Sequence, residues 1–151
     1  MAISRHCVRS CLLLGSLLAA CAVPMQLPKD FLRLQDSADF RAVTGDDARV
    51  WFRRFEDANA ATLEFWAEAV EHDFTQQRGY ELVGKGDVKD RDGELGRWFE
   101  CAANVRGERI CYLVAIWVDG TEITVVEFAA RADVFKARVD SVRAALRTVS
   151  S

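Results

Sequence analysis

Residues 96–128 contain three long strand-like segments joined by very short turns, and this stretch constrains the fold more than any other. The segments are residues 96–104, 108–118 and 123–128. Asp119 and Gly120 are typical of a tight two-residue hairpin turn. The last segment is almost continuously apolar, as expected of a central strand that is covered on both faces. Strands joined by such short connections predict an antiparallel sheet.

Two amphipathic helices are predicted, at residues 57–78 and 132–149. Apolar side chains recur in both segments at spacings of three and four residues, so each helix has one apolar face. These side chains are Leu63, Trp66, Ala67, Val70 and Phe74 in the first helix, and Phe135, Val139, Val142, Leu146 and Val149 in the second. We expect Asp57 or Asn59 to cap the first helix and Gly79 to end it.

Shorter strands are predicted on both sides of the first helix. Before the helix they are residues 31–34, 40–44 and 49–55; after it, a strand begins at residues 80–83 and a further part runs to Val88. Runs of adjacent strands with segregated helices predict an α+β fold. The expected architecture is an antiparallel β-sheet of about six to seven strands flanked by two main helices.

The start of the chain is typical of an export signal. Arg5 and Arg9 precede an apolar run of ten residues, 11–20, which ends in small side chains. Such a basic and then apolar pattern marks a signal that is removed. A spanning helix needs about 20 apolar residues, so a permanent transmembrane anchor is less favoured.

Leu18-Ala19-Ala20-Cys21 resembles the lipobox of bacterial lipoproteins. The resemblance implies diacylglycerol on the Cys21 sulfur, cleavage before Cys21 and a location in the bacterial cell envelope, with Cys21 inserted through its acyl chains into a lipid membrane. Two or more acyl chains anchor a protein stably. Because Ala22 follows the cysteine, the resemblance favours the outer membrane over the inner. The alternative is an ordinary secretory signal with a chance cysteine near the cut.

The predicted organisation is a signal peptide at residues 1–20, a lipidated tether at residues 21–29 and a single globular domain at residues 30–151. The chain has 20 basic and 23 acidic residues, and two of the basic residues lie in the signal. Residues 21–151 therefore have 18 basic and 23 acidic residues, a net charge of −5. This mild acidity argues against nucleic acid as a partner, because phosphate binding requires a basic surface.

Of the five cysteines, Cys101 and Cys111 remain after Cys7 and Cys11 leave with the signal and Cys21 is acylated. A three-residue hairpin loop, 105–107, would place Cys101 directly opposite Cys111, at a spacing that a disulfide can bridge. We therefore predict a cross-strand disulfide. Two buried free thiols are the alternative.

We find no catalytic, cofactor-binding or metal-binding motif, and no cofactor is predicted. His72 is expected to be a solvated surface residue, and residues 84–86 are too short for a phosphate loop. Asp87, Asp90, Asp92 and Glu94 depart from calcium-loop spacing and indicate a solvated turn. Most of the four tryptophans should lie in the core, but one on an open face could anchor a partner.

The order of elements resembles the Mog1/PsbP-like fold over residues 29–149. The resemblance is carried by Leu63-Glu64-Phe65-Trp66 in the first helix, Gly79-Tyr80-Glu81-Leu82 after it, Val125-Val126-Glu127-Phe128 in the last strand, and Phe135 in the terminal helix. It implies a non-catalytic binding or assembly role, and it carries over no binding residues.

Two functions follow as hypotheses. The first is a membrane-anchored module that docks an envelope protein through the sheet edge or a helix face without catalysing a reaction. The second is a binder or enzyme for a small molecule or an envelope polymer, which would use a pocket between sheet and helix. A deep pocket lined by converging polar groups would favour the second hypothesis.

Overall fold

A computed structural model describes residues 24–35 and 39–151 of the chain. The predicted signal peptide and the lipobox with Cys21 lie outside these residues.

The domain is built on one antiparallel sheet of seven strands, and this confirms the predicted fold class. The strands are β1 Leu32–Arg33, β2 Phe40–Val43, β3 Arg49–Glu56, β4 Glu81–Lys89, β5 Leu95–Val105, β6 Glu108–Asp119 and β7 Glu122–Arg131. Their order across the sheet is β1-β2-β3-β7-β6-β5-β4. The strands β3, β7, β6 and β5 form the centre, and each pairs with its neighbour over most of its length.

One helix covers each face of the sheet. Helix α1, Leu63–His72, continues into a π-helical turn, Asp73–Gln77, and packs against β5 and β6. Helix α2, Ala132–Leu146, packs against β6 and β7 on the other face. Each helix buries its apolar stripe, so the sheet has a hydrophobic cluster on both faces.

Helix α1 begins later than predicted, because Asp57 holds the preceding segment in a turn. The Asp57 carboxylate accepts hydrogen bonds from the backbone amides of Asn59 (2.9 Å) and Ala61 (3.1 Å). It also accepts one from Trp66 Nε1 at 3.3 Å. The helix cap is Thr62, whose hydroxyl accepts from the Phe65 amide at 3.3 Å, and not Asp57 or Asn59.

The described residues before β1 pack against the domain, and this corrects the predicted tether over residues 24–29. Met25 is fully buried in the cluster beneath α2. The Pro24 carbonyl accepts from the Ser150 amide at 3.0 Å, and the Gln26 amide donates to Thr148 Oγ1 at 2.8 Å. The apolar Met25 side chain and these hydrogen bonds hold the segment against the end of the chain.

The sheet has two ends, which we call proximal and distal. The proximal end holds Pro24, the last residues of the chain, and the turns that join β4 to β5 and β6 to β7. Backbone hydrogen bonds from Asp57 to Thr121 (2.8 Å) and from Arg91 to Val149 (3.0 Å) connect these parts. The distal end holds the β2–β3 and β5–β6 turns.

The predicted disulfide is wrong, because the β5–β6 hairpin is one residue tighter than expected. Val105 pairs with Glu108, so the loop contains only Arg106 and Gly107, both with positive φ. This register places Cys101 opposite Tyr112 and Cys111 opposite Ala102. Adjacent positions on a strand point to opposite faces, so the two sulfurs lie on different sides of the sheet and remain free thiols.

Within the described residues, no helix is both long enough and apolar enough to span a membrane.

Candidate functional site

Helix α1 covers only part of its side of the sheet and leaves the strands β1 to β3 bare there. The side chains that point outward from β2 and β3 on this side include Arg41, Arg49, Trp51 and Arg53, which alternate with residues buried beneath α2. We call this surface the open face. It is centred on Trp51.

The four tryptophans differ in their surroundings. Trp117 is fully buried beneath α2, and Trp98 lies under Arg143, whose guanidinium is 4.7 Å from the ring centroid. Trp66 lies in α1 and contacts the Asp57 turn. Trp51 lies on the open face, so it is the tryptophan that matches the expected partner anchor.

Trp51 is held between two arginines. The guanidiniums of Arg41 and Arg53 lie 4.3 and 4.2 Å from its ring centroid. Its Nε1 donates to Asp39 Oδ2 at 3.1 Å. Cation–π contacts and this hydrogen bond fix the orientation of the indole before any partner arrives.

The arginines around Trp51 are paired with carboxylates. Arg53 forms an ion pair with Glu127 on β7, and Arg41 lies 3.6 Å from Asp39. Within the described residues, Arg53 Nε is buried and has no hydrogen-bond partner. The open face is therefore rigid and nearly neutral, and it keeps one donor unused.

Two depressions flank Trp51. One, of about 580 Å³, lies over β2 and β3 and is lined by side chains that include Leu34, Arg41 and Arg49. The other, of about 300 Å³, lies between α1 and β3 and has an apolar floor formed by Val114, Ile116 and Val125. Both open to solvent, so a protein surface or an extended segment could reach them.

A third cleft, of about 410 Å³, lies between α1 and the strands β4 and β5. Both of its basic side chains are paired: Lys85 Nζ lies 2.8 Å from Glu71 Oε2, and Arg97 pairs with Asp87. Glu64 and Glu68 also line the cleft. The basic groups are therefore already engaged by carboxylates within the cleft. Residues 84–86 lie beside it in β4, where glycine makes room for Trp98; a Cβ at Gly86 would lie 3.0 Å from the indole.

The acidic cluster 87–94 is a structural turn and differs from the prediction at Asp90. Asp90 is buried, and its carboxylate accepts from the amides of Asp92 (2.9 Å) and Glu94 (2.8 Å) and from Ser151. Burial alone would raise the pKa of Asp90, but these hydrogen bonds outweigh burial and hold the pKa below its usual value. The carboxylate therefore fastens the end of the chain to the β4–β5 turn.

His72 lies exposed at the end of α1. Among the described residues, no group of three histidines, cysteines or carboxylates is arranged to hold a metal ion.

The seven-stranded antiparallel sheet with a helix on each face is an α+β fold, and it is similar to the fold of PsbP-like proteins. CyanoP, the cyanobacterial PsbP of Synechocystis sp. PCC 6803, matches with a TM-score of 0.55 at 12% sequence identity, over 88% of this chain and 95% of its own. LpqN of Mycobacterium tuberculosis matches with a TM-score of 0.67 at 10% identity, over 84% of this chain and 82% of its own. LpqN is described as involved in cell envelope biogenesis.

A third solved structure, PA94 from Pseudomonas aeruginosa, is a protein of unknown function. It matches with a TM-score of 0.59 at 12% identity, over 80% of this chain and 81% of its own. No protein-family model and no curated protein sequence matches the chain. At these identities the likenesses define the fold and leave the function to be argued from the residues of this chain.

Proposed function

We propose that the chain is an envelope lipoprotein, anchored through acylated Cys21 and facing the periplasm, whose domain docks another envelope protein through the open face. No catalytic step is assigned to it. The observation that carries the proposal is Trp51, which is held on a bare part of the sheet between Arg41 and Arg53 at 4.3 and 4.2 Å.

The chemistry of the open face favours a protein partner. Tryptophan and arginine are the residue types that most often dominate binding energy at protein interfaces. The indole is already fixed by Asp39, so binding would cost little side-chain entropy.

The envelope location rests on the resemblance of residues 18–21 to a lipobox and on the fold shared with LpqN, which is described as involved in cell envelope biogenesis. The outer membrane is the favoured membrane, because Ala22 follows Cys21 in the sequence.

Binding of a small molecule or an envelope polymer is the alternative, and it would use the 410 Å³ cleft beside α1. The open face is favoured over this cleft because Lys85 and Arg97 are already paired with Glu71 and Asp87. Trp51 also has internal contacts, but it is a partly exposed tryptophan, the residue type that most often anchors a protein interface.

Site-specific photo-crosslinking in a bacterial host tests the docking. A photoreactive amino acid at Arg49, on the open face, should give one adduct of defined mass, whereas the same amino acid at Lys136, exposed on α2, should give none. Trp51→Ala should remove the Arg49 adduct, since loss of an interface anchor costs about 2 kcal/mol or more, roughly 30-fold in affinity. Equal adducts from both positions, or none from Arg49, would refute docking through this face.

The anchor is tested separately by intact mass and membrane fractionation. We expect an acylated chain that begins at Cys21, and we expect Cys21→Ser to accumulate as an uncleaved precursor. An unacylated mature chain in the soluble fraction would contradict the anchor.

A further inference from the structure

Exposed apolar side chains from three elements lie at the proximal end, on the α1 side. Phe65 of α1 is 58% exposed, Phe55 of β3 is 40% exposed and Leu95 of β5 is 42% exposed. Trp66 makes edge-to-face contacts with both phenylalanines, at centroid distances of 5.7 Å to Phe55 and 5.9 Å to Phe65. We call these four residues the proximal patch.

The chain enters the domain at the same end. Arg54, which precedes Phe55, donates to the Ser150 carbonyl, and the Ser150 amide donates to the Pro24 carbonyl. Two hydrogen bonds therefore connect the strand end that carries Phe55 with the point where the described chain begins.

Only three peptide units separate Pro24 from Cys21, and they can span at most about 10–11 Å. Since Met25 is buried in the core, the segment after Pro24 cannot add to this reach without unfolding. Acyl chains on Cys21 would hold Pro24 within about 10–11 Å of the anchored acyl chains, which is one to two times the depth of the polar layer of the bilayer, roughly 5–8 Å on each side.

We propose that the proximal patch inserts into the interfacial layer of the bilayer that holds acylated Cys21, and thereby fixes the orientation of the domain. The inference rests on the lipid anchor of the proposed function. Aromatic side chains favour this layer because an apolar ring and a polar edge meet both of its environments. A second protein is the other class of partner that such a patch could serve, and the short reach from Cys21 favours lipid.

The proximal end carries more acidic than basic side chains. Arg54 lies 3.6 Å from Glu122, and Arg91 lies 3.5 Å from Asp92. Beside these pairs, this end holds Glu56, Glu94 and Asp119. Anionic lipid would repel this end, so insertion must come from the apolar side chains, and neutral phosphatidylcholine is the suitable probe. The distal end, which carries the β2–β3 turn beside the open face, then points away from the membrane.

Tryptophan fluorescence in vesicles tests the insertion. The full lipoprotein, purified from bacterial membranes, is reconstituted into phosphatidylcholine vesicles in which part of the lipid carries bromine near the headgroup end of its acyl chains. We expect bromine to quench the emission of wild-type protein. Trp66→Phe should lose most of this quenching, and Trp51→Phe should retain it, because Trp51 lies further toward the distal end of β3.

A matched pair of double variants separates insertion from general hydrophobicity. Phe55→Ser with Phe65→Ser should lose most of the quenching of Trp66. Val83→Ser with Val105→Ser removes two similarly exposed apolar side chains near the distal end and should leave the quenching unchanged. Circular dichroism of each variant establishes that it has folded.

Absence of quenching in an acylated wild-type chain, or equal losses in the two double variants, overturns the insertion while the anchor stands. Intact mass of the same sample reports the anchor independently. If that mass shows an unacylated chain, the anchor is wrong. The unacylated chain is then added to the same vesicles to test insertion of the proximal patch. Quenching that depends on Trp66 supports insertion, and absence of quenching overturns it.

Discussion

Cys101 and Cys111 miss direct pairing by one residue of register, and the fold keeps their thiols on opposite faces of the sheet. Burial raises the pKa of the Cys101 thiol to about 11, with smaller contributions from the charges of Glu71 and Glu100. Burial also raises the pKa of Cys111, although the nearby Arg109 guanidinium acts in the opposite direction. Thiolate is the reactive form, so both side chains should behave as small apolar residues at neutral pH.

We expect Cys101 in the folded protein to react with iodoacetamide at pH 8 roughly 100-fold or more slowly than in the urea-unfolded chain. The difference in labelling rate between the folded and unfolded chains should narrow as pH rises toward 11. The free energy of unfolding should fall over the same range, because the unfolded chain releases the thiol proton at a lower pH than the folded protein does. Mass spectrometry of labelled protein, prepared without reductant, measures the rate. A product that is two hydrogens lighter and unlabelled at both cysteines would show that the disulfide forms.

At the residue scale, the open face could be predicted in part. Arg49, Trp51 and Arg53 alternate with Val50 and Phe52, and this period of two indicates one polar and one buried face of a strand. The alternation does not reveal whether a helix covers the polar side. Asp39, which fixes the indole, lies twelve residues away from Trp51 and carries no signal in the local pattern.

At the scale of elements, the strands and helices follow the hydrophobic period closely, whereas their boundaries depend on local hydrogen bonds. The periodicity predicts a first helix from residue 57, but the helix begins at Leu63, because the Asp57 carboxylate accepts hydrogen bonds from the backbone amides that precede the helix and holds them in a turn. The β5–β6 register differs by one residue because Arg106 adopts φ of 53°, a conformation uncommon for arginine. Neither effect is visible in periodicity.

The tight hairpin predicts opposite effects for its two loop residues. Arg106→Asn should stabilise the domain by about 0.5–1 kcal/mol, because asparagine tolerates the left-handed region. Gly107→Ala should destabilise it by about 1 kcal/mol, since alanine pays for the positive φ that glycine adopts freely. Urea unfolding measures both changes. In the three-residue loop expected from the sequence, only the last position is left-handed. If Arg106→Asn left the free energy of unfolding unchanged, that result would favour the three-residue loop over the two-residue loop.

At the scale of the whole molecule, pairing between distant strands decides where the functional surfaces lie. β3 pairs with β7 across more than 60 intervening residues, and this pairing sets β1 to β3 outside the cover of α1. The same pairing brings Glu127 to Arg53 and the end of β3 to the end of the chain. Sequence periodicity fixes which face of each strand is buried, but it contains no information about which strands become neighbours.

Packing of the amino-terminal segment against the domain keeps the domain close to its proposed membrane. A substitution at Met25 tests this packing. Met25→Ala should lower the free energy of unfolding by about 2–5 kcal/mol, because it removes a fully buried side chain and leaves a cavity beneath α2. Gln26→Ala, whose side chain is exposed, should change stability by no more than about 0.5 kcal/mol. Urea unfolding of the full chain in detergent gives both values. If residues 21–29 were a free tether, both substitutions would be silent, and the reach from Cys21 would no longer hold the proximal end at the bilayer.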